Sequence, residues 1–263
     1  MSIREFYQQK AYLNLNGSII SAGILFAALT ISMVFSWDLP LFLVSIPFLA
    51  VSLIYYIGFI SYKNKTEVTR IPVSCYEDKR FFGHNSLLLA FAPAPALKML
   101  FFTPDGMLAG EMREIIVRKY RWFIPDFADK RIRKRIGIYD SHGRMQASLV
   151  EERKRLKLLN QQGEIIGIFY PGKKHSGTTG MAFLKNGKKL KIEESSGLYQ
   201  DIKMIREKGE VAARIQKGWM PLEWTHYFIE ANTPVLVFDY SLSQEERLTV
   251  FAALAIRFMY YDH

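Results

Sequence analysis

The sequence predicts an all-β soluble domain, a closed antiparallel barrel of about 12 strands around a central hydrophobic C-terminal α-helix, preceded by a two-helix transmembrane hairpin. Three features carry this prediction. Two long uncharged runs lie in the first part of the chain, a strand-turn-strand pattern then repeats, and the chain closes on an almost entirely apolar helix. We therefore expect a membrane hairpin over residues 1–62, a basic linker over 63–95 and a barrel domain over 96–263.

The hairpin is predicted from two runs without a charged residue, 18–37 and 39–60, separated by a turn at Asp38. Each run reaches the length of about 20 residues that an α-helix needs to cross a bilayer core. A cleaved signal peptide is the alternative for the first run, but a second run follows at once and no small-residue cleavage site is evident. The absence of ionisable residues inside both runs argues against a transporter or proton relay, so we interpret the hairpin as an anchor.

Charges flank this hairpin on one side. Arg4 and Lys10 precede it, the connecting turn has no basic residue, and the positive-inside bias therefore predicts a multi-pass cell-membrane protein with both termini cytoplasmic. The formal net charge is +10, all of it beyond residue 62, and the single cysteine, Cys75, fits a reducing compartment. The basic residues that follow the hairpin are Lys63, Lys65, Arg70, Lys79 and Arg80.

The barrel is predicted from five short polar turns that end in glycine and separate apolar or alternating runs. Glycine adopts positive φ without steric cost, so these turns predict five hairpins and about ten strands. Residues 224–231 and 234–239 are expected to supply about two more strands, while the apolar run 87–92 either starts the sheet or lies against the membrane. Closure would remove the exposed edges of such a sheet. The turn glycines are Gly106, Gly143, Gly163, Gly187 and Gly209.

The last helix is predicted to begin after Ser243, which forms a capping box with Glu246. The apolar stretch 248–261 contains 14 residues, about 21 Å of helix, which is too short for a bilayer core of about 30 Å. A helix without a polar face must be surrounded, so we expect it to lie along the centre of the barrel. The predicted core positions are Leu248, Phe251, Leu254, Ala255 and Phe258.

The five turn segments and the closing sequence V-L-V-F-D-Y-S-L-S-Q-E-E-R-L-T-V-F-A-A-L-A-I-R-F-M-Y-Y-D resemble the tubby C-terminal-like superfamily over residues 97–263. That superfamily includes the tubby domain, the phospholipid scramblases and the LURP-one-related proteins. The resemblance implies a barrel around a central helix and, because tubby domains bind phosphoinositides, a site for anionic headgroups. The chain lacks the proline-rich and cysteine-rich stretches of scramblases, so scramblase-like lipid translocation is the alternative function.

The strongest candidate site is the run 113–135, which holds nine basic and three acidic residues around a central aromatic group. Each basic residue near an anionic leaflet contributes about 1 kcal/mol, so the run predicts binding to anionic phospholipid. One alternative is that these are solvated outer-face residues of two strands with a buried tryptophan between them. Another is an acidic protein partner; we do not expect nucleic acid. The candidates are Arg118, Lys119, Arg121, Trp122, Phe123, Lys130, Arg131, Arg133, Lys134 and Arg135.

Catalytic and metal-binding patterns are not evident. The five histidines are scattered, with His142 in a predicted turn, and the loop 172–180 lacks the motif of a phosphate-binding loop. We therefore expect no enzyme activity, cofactor or metal. Arg257 in the apolar helix is expected to reach the barrel mouth or to pair with a carboxylate such as Asp239 or Asp262, with ligand contact as the alternative.

Overall fold

The computed structural model describes residues 1–35, 41–70, 81–94, 96–117, 134–152, 155–172, 178–196 and 200–259. The chain divides into two compact units, Met1–Ile71 and Pro72–His263. The first is a pair of helices, and the second is a β-barrel with a helix inside it.

The first unit consists of α1 (Ile3–Phe35) and α2 (Leu41–Val68). Both helices are long and apolar enough to cross a membrane, as expected from the sequence. They run antiparallel, since the Arg4 guanidinium donates to the Thr66 carbonyl (Nε–O, 3.1 Å) near their outer ends. Because α2 continues to Val68, the first residues of the expected linker are helical.

Hydroxyl groups join the two helices within their apolar part. The Ser18 and Ser52 hydroxyl oxygens lie 3.1 Å apart, and Ser52 also donates to the Ser18 carbonyl at 3.1 Å. The Ser21 hydroxyl donates to the Phe48 carbonyl at 3.0 Å. Such bonds hold apolar helices together in lipid, where burial of apolar surface supplies little driving force.

Glycine allows close approach at two further positions. A Cβ added at Gly17 would lie 3.1 Å from the Tyr55 ring, and one added at Gly58 would lie 2.7 Å from the Asn14 side-chain oxygen. A Cβ at Gly23 would meet no atom within 4 Å. Gly17 and Gly58 therefore belong to the helix interface, whereas Gly23 lies outside it.

Lysine and aromatic side chains pack together at the polar end of the helix pair. The Lys10 ammonium lies 4.8 Å from the Phe6 ring centroid and 5.2 Å from that of Tyr62, and Lys65 lies 4.4 Å from the Tyr62 ring. These cation–π contacts tie the start of α1 to the end of α2.

The second unit is a closed antiparallel barrel of 12 strands in which successive strands are neighbours and β1 closes the ring by pairing with β12. A 3₁₀ turn, Phe81–Gly83, precedes it and the helix α3 (Gln244–Met259) follows it. The strands are β1 Ser86–Phe91, β2 Lys98–Phe102, β3 Leu108–Glu114, β4 Arg135–Asp140, β5 Met145–Glu152, β6 Arg155–Asn160, β7 Ile165–Pro171, β8 Thr178–Leu184, β9 Lys189–Ser196, β10 Gln200–Arg206, β11 Val211–Gln216 and β12 Val235–Phe238.

The five predicted hairpins are confirmed. Each turn glycine has a positive φ, between 75° and 83°, which residues with a side chain rarely adopt. Each glycine amide also donates to the carbonyl three residues earlier, as in Gly106 to Thr103 at 2.9 Å. The turns connect β2 to β3, β4 to β5, β6 to β7, β8 to β9 and β10 to β11.

Of the two further strands, the one expected at 234–239 is confirmed as β12, Val235–Phe238. The strand expected at 224–231 is wrong, because this region contains a 3₁₀ helix, Leu222–His226, followed by irregular chain. Its buried Phe228 packs on the outer face of the barrel, with its ring 6.2 Å from that of Phe102. The missing strand is Ser86–Phe91, so the apolar run starts the sheet and the barrel begins before residue 96.

The helix α3 occupies the barrel interior, and all five predicted core positions are buried. Phe251 contacts three aromatic rings around it, with centroid distances of 4.8 Å to Phe101, 4.9 Å to Phe81 and 5.6 Å to Phe238. The interior of the barrel is therefore a packed core.

The capping box at the start of α3 is confirmed. The Ser243 amide donates to the Glu246 carboxylate at 2.9 Å, and the Glu246 amide donates to the Ser243 hydroxyl at 3.3 Å. These two bonds satisfy amides of the first turn that have no partner within the helix.

Candidate functional site

The barrel has two chemically different ends. Because consecutive strands are antiparallel, alternate connections fall at opposite ends. We call the end with the five glycine turns and the 239–243 connection the tight-turn end. We call the other end, where α3 finishes, the long-loop end. Its connections are 92–97, 115–134, 153–154, 172–177, 197–199 and 217–234.

The charge of these connections is unevenly distributed. By sequence, the long-loop connections contain twelve basic and four acidic residues, a net charge of +8. The tight-turn connections contain four basic and five acidic residues, a net charge of −1. Of the net charge of +10, +8 is thus assigned by sequence to the long-loop connections, and ten of their twelve basic residues lie outside the described residues.

The predicted basic run joins β3 to β4 at the long-loop end. Of its candidates, Arg135 is exposed on β4, but Lys134 is buried with 7% of its surface accessible and does not form part of an exposed patch. At the other end of the run, Arg113 pairs with Glu111 (Nε–Oε1, 3.2 Å) and lies over the Tyr139 ring. The candidates Arg118, Lys119, Arg121, Trp122, Phe123, Lys130, Arg131 and Arg133 lie outside the described residues.

Large apolar side chains are exposed at the same end. Trp219 is 67% exposed and Leu222 is 83% exposed in the β11–β12 connection, and Ile116 is 60% exposed after β3. Our sequence interpretation missed Trp219 and Leu222 because it treated this region only as a route to another strand. The signal was present in K-G-W-M-P-L, where glycine and proline surround large apolar residues and favour a turn.

Local structure holds this exposed segment in place. Gly218 has a φ of 82°, which turns the chain after β11, and the 3₁₀ helix Leu222–His226 follows within four residues. The Thr225 hydroxyl donates to the Leu222 carbonyl at 2.6 Å, and the Phe228 amide donates to the Trp224 carbonyl at 2.9 Å. The buried Phe228 thus anchors a segment whose preceding apolar residues face solvent.

An ion pair lies near the end of α3. Arg257 donates from Nε to a Glu194 carboxylate oxygen on β9 at 3.2 Å, and both side chains are largely buried. The expected pairing with a carboxylate is confirmed, but the partner is Glu194. Asp239 accepts the Ser241 amide and lies near Arg206, and Asp262 is outside the described residues. Glu194 neutralises a charge that would be costly to bury alone.

Charged side chains at the tight-turn end stabilise the fold by ion pairs around Glu246. Glu246 is 1% exposed, and its carboxylate lies 3.3 Å from the Lys188 ammonium and 3.5 Å from Arg206 Nε. Burial raises the pKa of Glu246, but hydrogen bonds from Ser243 and Lys188 outweigh it, and the pKa lies below its ordinary value. These contacts fasten the start of α3 to two hairpin turns.

A shallow groove of about 600 Å³ lies on the outer wall of β8, β9 and β10, beside Met181 and Phe183. Its lysines are engaged by neighbouring carboxylates: Lys189 lies 2.8 Å from Glu207, and Lys191 lies 2.6 Å from a glutamate on the same strand. The groove therefore offers less uncompensated charge than the long-loop end.

No family model matches this chain, and no curated protein matches it significantly. Among solved structures, the chain is similar to a crystal structure of a protein from Arabidopsis thaliana. The match covers 65% of this chain and 88% of that chain, with 12% sequence identity and a TM-score of 0.40. That similarity carries no functional argument, and the tubby-like resemblance of the sequence stays a prediction.

Proposed function

We propose that this chain is a non-enzymatic, membrane-anchored module whose barrel binds anionic phospholipid headgroups through its long-loop end. The observation that carries the proposal is the charge that sequence and strand order assign to the connections. One end has twelve basic residues, of which Lys134 is buried, and four acidic residues, against four and five at the other end.

Electrostatics supplies the attraction. The cytoplasmic leaflet carries a negative surface potential, and each basic residue near it contributes about 1 kcal/mol. The attraction decays within a Debye length of about 10 Å at 0.1 M salt, so the basic residues act only when the long-loop end is close to the surface. A protein with its net charge concentrated at one end is also oriented by this field before contact.

The helix pair supplies the anchor in this proposal. Both α1 and α2 are apolar enough to cross a membrane, and the basic residues lie beyond their apolar parts. With both termini cytoplasmic, the barrel is confined to the compartment where the anionic leaflet is exposed. Confinement raises the effective concentration of the barrel at the surface, so modest intrinsic affinity suffices.

Binding of two vesicle types tests the proposal. The full-length chain is placed in nanodiscs of phosphatidylcholine, which present no anionic lipid, and mixed with vesicles of phosphatidylcholine with or without phosphatidylserine. We expect co-flotation with the phosphatidylserine vesicles only. Raising salt from about 0.1 M to about 1 M shortens the Debye length to about 3 Å and should release the nanodiscs. Equal flotation with both vesicle types would overturn the proposal.

Lipid translocation is the alternative, suggested by the resemblance of the sequence to a superfamily that includes scramblases. The hydroxyls of Ser18, Ser21 and Ser52 bond across the helix pair, which favours a static anchor over a headgroup path. Proteoliposomes of the full-length chain with labelled phospholipid separate the two functions. We expect translocation no faster than in protein-free vesicles, and fast translocation would favour the alternative.

A further inference from the structure

We infer that the segment Trp219–Leu222 inserts into the interfacial layer of an anionic membrane, so that the long-loop end penetrates the surface that its basic residues attract. This inference rests on the proposed function and deepens it, because it identifies the side chains that enter the lipid. Electrostatic attraction requires only proximity, whereas insertion predicts a defined depth for named residues.

The exposure of two large apolar residues is the first argument. Trp219 is 67% exposed and Leu222 is 83% exposed, three positions apart in one short connection. Tryptophan is enriched at membrane interfaces because its ring is apolar while its indole N–H can reach water and headgroups. Leucine gains free energy when its side chain leaves water. Trp219 and Leu222 therefore combine an aromatic side chain suited to the membrane interface with a fully apolar one.

The second argument is that the segment is held in its exposed conformation. Gly218 turns the chain with a φ of 82°, and the hydrogen bonds of the following 3₁₀ helix fix the residues after Leu222. Phe228 is buried against the barrel and fastens the far side of the segment. Binding would then require little ordering of the chain, which lowers its entropic cost.

Charge decides between lipid and a second copy of this chain as the occupant. Two long-loop ends brought face to face would each carry the same basic excess, twelve basic against four acidic residues, and would repel. An anionic bilayer offers negative charge at the headgroups and an apolar layer directly beneath them, which matches both features of this end.

Tyr240 provides a control at the opposite end. It is 84% exposed in the connection before α3, at the tight-turn end, where acidic residues slightly outnumber basic ones. An exposed aromatic side chain without a surrounding excess of basic residues is thus present in the same molecule. If exposure alone caused membrane contact, Tyr240 and Trp219 would enter the lipid to the same depth.

Depth-dependent quenching of single tryptophans tests the inference. In the first full-length variant, Trp37, Trp122 and Trp224 are replaced by phenylalanine, which leaves Trp219 as the only tryptophan. In the second, Trp219 is replaced as well and Tyr240→Trp supplies the probe. Both are reconstituted into proteoliposomes that contain brominated phosphatidylserine. We expect blue-shifted emission and bromine quenching for Trp219, and emission typical of water without quenching for the Tyr240→Trp probe.

Three outcomes would contradict insertion. Trp219 emission typical of water without quenching would place the segment outside the lipid, and a blue shift without quenching would indicate a protein contact. Equal quenching of the two probes would show that insertion is not specific to the long-loop end, which contradicts the inference that this end penetrates the surface its basic residues attract. If phosphatidylserine vesicles still bind in a salt-sensitive manner, these results overturn insertion while the proposed function stands. With insertion, Trp219→Ala combined with Leu222→Ala should weaken vesicle binding about tenfold, and Tyr240→Ala should leave it unchanged.

Discussion

Phe81 stacks on Phe251 with ring centroids 4.9 Å apart and an angle of 20° between the planes. The contact joins the turn before the first strand to the middle of the last helix, so the two ends of the barrel domain meet in its core. Phe101 and Phe238 complete the aromatic group around Phe251. The core of the domain therefore depends on α3 filling the barrel.

Leu254→Asp should unfold the barrel, since this side chain is fully buried in α3 and a carboxylate there would lose its hydration without gaining a partner. Ala253→Asp should act in the same direction. We expect a loss of more than about 4 kcal/mol in the free energy of unfolding. Near-ultraviolet circular dichroism and thermal unfolding of the full-length chain in detergent provide the measurement. Tyr240→Asp, at an exposed position, is the control. A Leu254→Asp variant with the same melting temperature as this control would contradict the burial of α3 inside the barrel.

Barrel stability should fall in acid partly through Glu246. Its folded-state pKa lies below the ordinary value of about 4.3, so its ionised form stabilises the folded state. That contribution is complete above the unfolded-state pKa and is lost as the pH falls through the folded-state pKa. Glu246→Gln should therefore lower stability at neutral pH and flatten its decline in acid. Glu245→Gln, which alters an exposed neighbour, is the control and should preserve the pH dependence of the wild-type stability. Urea unfolding of the three proteins at a series of pH values provides the measurement.

Packing of the helix pair should depend on Gly17 and not on Gly23. A Cβ at Gly17 would lie 3.1 Å from the Tyr55 ring, so a larger side chain there requires the ring to move, whereas Gly23 faces open space. Gly17→Leu should destabilise the helix pair by about 1–3 kcal/mol through overpacking, while Gly23→Leu should be neutral or stabilising because glycine disfavours helix. Far-ultraviolet circular dichroism during titration with SDS measures both variants. Equal midpoints for the two would contradict the observed interface.

The features that the sequence predicts well are those that local chemistry determines. The turns at Gly106 and Gly187 follow from Asp-Gly and Asn-Gly pairs, and the capping box at Ser243 lies within one helical turn. The position of α3 followed from its length and its lack of a polar face. Each of these features requires only residues close together in the chain.

The predictions that are wrong concern features determined by contacts between residues far apart in the sequence. Phe228 lies in a segment with the pattern of a strand, but it packs against Phe102 on the outer face of β2, which is apparent only after the barrel has closed. The Glu194 partner of Arg257 is likewise remote in sequence and follows from the register of β9 beside α3. The exposure of Trp219 depends on the end of the barrel at which its connection lies. Apolar composition alone suggests burial for such a residue.

The candidate site stays a prediction, because eight of its ten residues lie outside the described residues. The sequence identified the basic run, but the unequal charge of the two ends required the strand order, which assigns each connection to an end. The same topology supplies a matched set of basic residues at the tight-turn end. Basic residues can therefore be replaced at either end of the barrel with the same change in net charge, and the effects on lipid binding can be compared.

That comparison is the most direct test of anionic-lipid binding by the long-loop end. One full-length variant carries Arg131→Gln, Arg133→Gln and Arg135→Gln, and the other carries the same change at Lys185, Lys189 and Lys208, at the tight-turn end. Affinity for phosphatidylserine vesicles is measured for both in phosphatidylcholine nanodiscs. The arginine variant should bind more weakly by about 3 kcal/mol, roughly a hundredfold, while the lysine variant binds nearly as the wild type does. Equal weakening of both variants would show that net charge alone governs binding and would contradict a site at the long-loop end.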